Sequence, residues 1–307
     1  MPLPADHGER LRRAKLSLDG LSIGDAFGER FFLPPALAES AVGRRSLPTP
    51  PWQYTDDTVM ALAIVETLQA SGGIDQDALA ARFVRKYRAD PGRGYGGMAH
   101  RILHQIGDGA PWRRVSHAAF DGMGSMGNGG AMRSAPIGAY FCDDLPAASR
   151  QAWRSAEVTH GHPEGQAGAA AVAVAAAVAA RGPADCGEIL AAAAEHIEES
   201  KTRAGIERAA ELPLGESVAE AVGILGNGFR VLAQDTVPFA LWCAARHLDD
   251  FEEALWATVS GFGDRDTTCA IVGGIVSLAV GRDSLPGEWL AARESLATLA
   301  GREASLA

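Results

Sequence analysis

Cysteine is scarce, and its spacing excludes more than its number does. The 307 residues include four, Cys142, Cys186, Cys243 and Cys269, with no CxxC pair and no zinc-like spacing. That argues against a disulfide scaffold or a zinc module and for buried free thiols in a reducing compartment. Lysine is nearly missing: of 28 basic residues only Lys15, Lys86 and Lys201 are lysine, beside abundant alanine and glycine, a bias of coding and not of function. Positive charge is outweighed, with a net charge of −10 and a pI near 5.3. This argues against a protein that tracks phosphate backbones, so nucleic acid is not an expected general partner. Long apolar runs are also missing. The longest, residues 167–180, falls short of the roughly 20 residues that a membrane span needs and reads as a buried helix. Residues 1–13 are polar with no apolar signal-peptide core. A cytoplasmic location without membrane contact is the expectation. No GxSxG elbow, Walker loop or strand-linked GxGxxG occurs.

Alternating strand patterns are scarce too, and what fills the chain is helical periodicity. Leu11, Ala14, Leu18 and Leu21 share one face and lead toward Phe27. Val59, Leu62, Ala63 and Glu66 open a second helix. Asp75 or Asp77 caps a third, with Leu79, Phe83 and Tyr87 on one side. Further helices are expected over residues 131–141, 146–158, 165–180, 184–199, 216–225, 238–247, 251–260, 267–280 and 286–299. Pro146, Pro238 and Pro286 each suit a first helical turn. Glycine-rich loops fall at residues 92–97 and 122–130, without a shift in composition, a repeat or a long linker. The hydrophobic content of 47% supports a large core. One all-α domain spanning residues 1–307 is expected.

The chemistry concentrates in two segments far apart in the chain. Thr55-Asp56-Asp57-Thr58 precedes the apolar run 59–65, and Asp264-Arg265-Asp266-Thr267-Thr268 precedes the run 269–280. Each sets two carboxylates and hydroxyls at a helix start. Ordinary N-capping explains one such residue, or two with the helix dipole. Two acids with two hydroxyls, twice over, exceed that need. Brought together, four carboxylates repel unless cations neutralise them, and hard oxygen donors suit Mg²⁺, Mn²⁺ or Ca²⁺. His100 and His104 lie four residues apart, but no further zinc ligands follow at suggestive spacing.

These acidic segments resemble the metal-binding motifs of the ADP-ribosylglycohydrolase family, the group containing dinitrogenase reductase-activating glycohydrolase. Three more segments agree in order. Gly24-Asp25-Ala26-Phe27-Gly28 resembles the family's GDAxG, residues 127–133 resemble its GNGxAMR loop, and Thr159-His160 ahead of the alanine-rich helix resembles its TH motif. The matches run from about residue 16 to about residue 281.

The resemblance implies an all-helical fold and a centre of two Mg²⁺ ions, with Mn²⁺ as a substitute. Thr55, Asp56 and Asp57 would hold it from one side, and Asp264, Asp266 and Thr267 from the other. It implies hydrolysis of the glycosidic bond between ADP-ribose and a modified protein or small molecule. Asp56 or Asp57 is the candidate base. Asp25, Ser125, Met126, Gly127, Asn128, Gly129 and His160 would meet the substrate, the glycines letting backbone N–H groups approach a diphosphate. Two positions depart from the pattern. The family's glutamate beyond GDAxG is Phe32 here, and Glu29, one helical turn earlier, is the candidate replacement. Arg265 stands where a small residue separates the aspartates, facing either outward or into the substrate channel. The missing glutamate also leaves open a module that binds ADP-ribose with little or no turnover. A metal-dependent phosphate-ester hydrolase is a further alternative that no motif favours.

Overall fold

The computed structural model describes residues 3–213 and 215–297. Sixteen α-helices run through the described residues: α1 (His7–Glu29), α2 (Pro35–Gly43), α3 (Asp56–Ser71), α4 (Gln76–Ala89), α5 (Gly97–Gly107), α6 (Trp112–Ala118), α7 (Ala135–Tyr140), α8 (Leu145–Glu157), α9 (Pro163–Ala179), α10 (Cys186–Glu195), α11 (Lys201–Glu211), α12 (Val218–Leu225), α13 (Ala233–Arg246), α14 (Phe251–Val259), α15 (Arg265–Val280) and α16 (Gly287–Ala292). Only isolated bridges stand in for strands among them, Trp52 with Arg293 and Gly127 with Leu232. The all-α class read from the sequence is the class observed.

The alanine-rich stretch becomes the central helix. Every residue of α9 from Glu164 to Ala179 is buried, which is why it shows no polar face. Its small side chains let α7, α8, α10, α13 and α15 all pack against it. A second focus is aromatic. Phe27 stacks on Trp289 at 4.7 Å between ring centroids and meets Trp256 edge-on at 5.0 Å. Of the cysteines, Cys142, Cys243 and Cys269 are buried and Cys186 half-buried, all as free thiols.

One crossing positions the site. Helix α1 lies directly on α15, and glycines make that approach possible. A Cβ at Gly20 would stand 2.2 Å from the Gly273 carbonyl oxygen, at Gly24 2.0 Å from that of Cys269, and at Gly28 2.2 Å from that of Arg265. No side chain fits at such distances. The GDAxG glycines are thus contact points between backbones, and they bring Asp25 beside the start of α15.

Several expected boundaries shift. The helix expected over residues 131–141 is shorter, α7 (Ala135–Tyr140), and is preceded by a 3₁₀ turn, Asn128–Gly130, and a turn over residues 131–133. Pro238 sits sixth in α13, not in its first turn. Its ring packs toward Gly205, where a Cβ would stand 2.5 Å from Pro238 Cγ. Apolar packing on α11 offsets the helix bond that proline cannot make. Pro286 is the residue before α16, and α16 ends at Ala292; the end of the expected helix 286–299 lies outside the described residues. Helices α2, α6 and α11 were not expected as helices, and of α5 only the shared helix face of His100 and His104 was. His100 and His104 both fall on α5, where His100 shares a hydrogen bond with the Tyr87 hydroxyl at 2.9 Å and His104 pairs with Asp108 at 3.0 Å.

Candidate active site

The two acidic segments start neighbouring helices. Thr55 is the N-cap of α3, accepting from Asp57 N–H at 3.3 Å, and Asp264 occupies the same position before α15 without capping it. Capping therefore accounts for Thr55 and leaves all four aspartates unexplained. Asp56 and Asp57 are buried, Asp264 and Asp266 half-buried, and Thr267 buried.

Electrostatics show that the segments converge. Burial raises the Asp57 carboxyl well above its usual range, and Asp266 is the largest charge adding to that shift, followed by Asp25, Asp56 and Asp264. Burial likewise raises Asp266, with Asp264 and Asp25 next. Asp56 is pushed up to about 8 by burial and then by the charge of Asp25. Asp264 is raised by burial and held back by a hydrogen bond from Asn128. Mutual repulsion of this kind requires closeness.

Asp25 lies beneath this cluster. It is fully buried and accepts from Thr55 N–H at 3.0 Å, Thr58 N–H at 3.0 Å and the Thr58 hydroxyl at 2.5 Å. Burial raises it to about 6 against the pull of these bonds. Expected at the substrate, Asp25 instead fixes the backbone that presents Asp56 and Asp57. From the other side Asp56 N–H donates to the Arg93 carbonyl at 2.6 Å, in the loop 92–97. Arg93 is itself locked by two bonds to Glu294, at 2.6 and 2.9 Å.

The glycine loop joins the same site. Asn128 Nδ2 donates to Asp264 Oδ2 at 2.7 Å and to the Thr236 hydroxyl at 3.0 Å. Gly127 N–H goes to Ser125 Oγ at 3.1 Å and Asn128 N–H to the Val231 carbonyl at 3.3 Å, while the Met126 carbonyl accepts from Ala233. His160 rests against this loop, since a Cβ at either Gly127 or Gly129 would stand 3.3 Å from its Nε2. Burial pushes the His160 ring down to about 3, so it is neutral. Glu29, the last residue of α1, is half-buried and raised by burial, then by Asp25 and Asp264, which places it at the cluster's edge.

Arg265 resolves one of the open positions. It donates to the Phe31 carbonyl at 2.9 Å, with its guanidinium 5.0 Å from the Phe32 ring centre and 5.4 Å from that of Phe262. Its side chain turns back onto the segment after α1, and Phe32, in the place of the family's glutamate, forms part of its cover.

The sequence reading passed over the segment 226–231. Asp264 N–H donates to the Asn227 carbonyl at 3.1 Å, and a Cβ at Gly228 would stand 2.7 Å from Asp264 Cβ. Phe229, 82% exposed, projects from this segment. A signal existed, because Gly226-Asn227-Gly228 repeats the triplet Gly127-Asn128-Gly129.

Whether this arrangement suits metal ions can be judged from the donors. Among the described residues no three His, Cys, Asp or Glu side chains already stand as a ready ligand set. The donors are nonetheless hard oxygens, carboxylate and hydroxyl, and Asp57 Oδ2 is buried without any partner. The nearest buried cation, Arg133, lowers the Asp56 pKa but bonds to Met60 Sδ, Ser155 O and Thr159 Oγ1 and to none of the carboxylates. Crowded acids with an unmatched oxygen fit divalent cations.

Comparison with known proteins identifies the family. The chain is similar to the ADP-ribosylhydrolase ARH3 of Homo sapiens, 31% identical over 269 residues that span 77% of this chain and 73% of that protein. It is similar to the ADP-ribosylarginine hydrolase Tri1 of Serratia proteamaculans, 26% identical over 299 residues, or 94% and 77% of the two chains. A solved structure described as an ADP-ribosylglycohydrolase-related protein complex superposes with a TM-score of 0.66 at 27% identity, covering 97% of this chain and 96% of that one. The ADP-ribosylglycohydrolase family profile matches residues 6–307, and this chain belongs to that family.

Proposed function

We propose that this protein hydrolyses the glycosidic bond between ADP-ribose and a modified protein side chain or small molecule, releasing free ADP-ribose, with two Mg²⁺ ions (or Mn²⁺) as cofactor. The observation that carries this reading is the convergence of Asp56 and Asp57 with Asp264 and Asp266 beside the loop that Asn128 ties to Asp264. The names of the relatives ARH3 and Tri1 describe the same class of reaction.

Thr55, Asp56, Asp57, Asp264, Asp266 and Thr267 would hold the ions. Bound divalent cations in such a site supply positive charge that orients ribose hydroxyls and acidifies water. The protein's own groups do the rest. Asp25 holds the start of α3 rigid, so Asp56 and Asp57 are presented in a fixed geometry. Either can take the proton of the attacking water as the anomeric carbon gains oxocarbenium character. The glycine loop of residues 127–129 would receive the diphosphate, and Glu29 is the acidic group at the margin of the cluster. A second reading, binding without turnover, draws on Phe32 standing where the family has a glutamate.

One assay separates them. Purified protein is incubated with arginine-, serine- and acetyl-linked ADP-ribose, with Mg²⁺ and with chelator. Release of ADP-ribose from at least one substrate, lost with chelator and in Asp56→Ala, supports the proposal. Binding of ADP-ribose with no release from any of the three supports the second reading.

A further inference from the structure

Arg133 is wholly buried, and among the described residues none of its hydrogen bonds goes to a carboxylate. Its Nη2 donates to the Ser155 carbonyl and to the Thr159 hydroxyl oxygen, each at 2.9 Å, and Nη1 reaches only Met60 Sδ at 3.5 Å. The Phe83 ring covers the guanidinium at 4.5 Å. A charge so enclosed and so sparsely bonded has a use in the bonds it does make. The Thr159 hydroxyl is the informative one, because its oxygen also lies 2.8 Å from His160 Nδ1.

The hydrogens along this row can be placed by elimination. Guanidinium only donates, so the Thr159 oxygen accepts from Arg133. Thr159 is buried, and among the described residues its hydroxyl hydrogen has one acceptor within reach, His160 Nδ1. Were Nδ1 to carry a hydrogen instead, the threonine hydrogen would be sealed inside the protein without a partner, the arrangement that native interiors avoid. The ring is neutral, held so by burial and by the nearby charge of Arg133, and therefore bears one N–H. With Nδ1 bare, that N–H is Nε2, the atom lying against Gly127 and Gly129.

We infer that Arg133 and Thr159 are positioning residues that fix His160 as its Nε2–H tautomer, so that a neutral donor faces a ligand's acceptor oxygen at the glycine loop. That the ligand is ADP-ribose rests on the proposed function; the tautomer does not. A neutral donor suits a phosphate or ribose oxygen and keeps that role unchanged with pH, which an imidazolium would not.

Long-range ¹H–¹⁵N NMR on the full chain with labelled histidine reads the tautomer directly, and His160→Gln assigns the signal. The expected result is a bare Nδ1 and a protonated Nε2 in the wild type and in Thr159→Ser. In Thr159→Val the signal moves to a mixture of tautomers, and ADP-ribose, titrated with Mg²⁺ present, binds about tenfold more weakly, with binding restored in Thr159→Ser. A protonated Nδ1 in the wild type overturns the inference, as does an unaltered tautomer in Thr159→Val. Should no substrate be hydrolysed, the function falls while the tautomer measurement still stands.

Discussion

Asp57 shows most clearly what single residues contribute. Its buried Oδ2 has no partner and its neighbours Asp266, Asp25, Asp56 and Asp264 are all acids, so without a cation it is a source of repulsion. Asp57→Asn should therefore raise the melting temperature of the metal-free protein, by about 2–4 °C for each kcal/mol of repulsion relieved, while lowering ADP-ribose release at least a hundredfold. Thermal melts in chelator and the release assay check the two halves. A pH dependence follows from the same crowding. Asp25 titrates at about 6 and Asp56 at about 8 in the folded protein, both raised above 3.8 by burial. The folded state thus holds more protons than the unfolded chain across that interval, and stability falls as pH rises. The stabilisation is complete below about 3.8 and is lost as pH passes through 6 and then 8. In chelator, the melting temperature should be lower at pH 8 than at pH 5, and Mg²⁺ should restore it at pH 8 far more than at pH 5.

At the scale of elements, the decisive contact is α1 on α15. Gly24→Ala would press a methyl group onto the Cys269 carbonyl and should cost about 1–3 kcal/mol, moving Asp25 away from Thr55 and Thr58 and weakening metal binding with it. Gly8→Ala, on the same helix with nothing within 4 Å, should leave both unchanged. Denaturation midpoints and a Mn²⁺ titration distinguish these variants. This contact also shows what the sequence could reveal. Asp56, Asp57, Asp264 and Asp266 were legible because their pairing exceeded what capping needs. The role of Asp25 was not, since nothing local says that an acid inside a helix will be buried under the start of another. Pro238 was misplaced for a related reason: its tolerance in mid-helix depends on Gly205, 33 residues earlier in the chain. Helices α5 and α6 begin among glycines and prolines that read locally as loop, and their apolar faces are met by packing, α5 on α4 and α6 on α5. Segment 226–231 was legible in its repeated triplet and was passed over.

For the whole molecule, the helices form a scaffold that brings Asp57 and Asp266, more than 200 positions apart, beside one another. Three connections frame the site: the α1–α15 crossing, the loop 92–97 behind Asp56, and Asn128 bridging to Asp264. Among the described residues no helix is long and apolar enough to cross a membrane, and the long alanine-rich α9 is buried in the core. The acidic clusters concentrate negative charge at the two helix starts, and the neutral His160 lies against the glycine loop that Asn128 ties to them.

Calorimetric titration of Mn²⁺ into the wild type, Asp57→Asn, Asp266→Asn and the double variant measures whether the two helix starts act as one cage. Two ions should bind the wild type, each single substitution should weaken binding at least tenfold, and the double variant should lose little beyond either single one, as expected of ligands that share a site. Wild-type affinity in either single variant, or losses that simply add, would mean that the two acidic segments do not hold their ions in common.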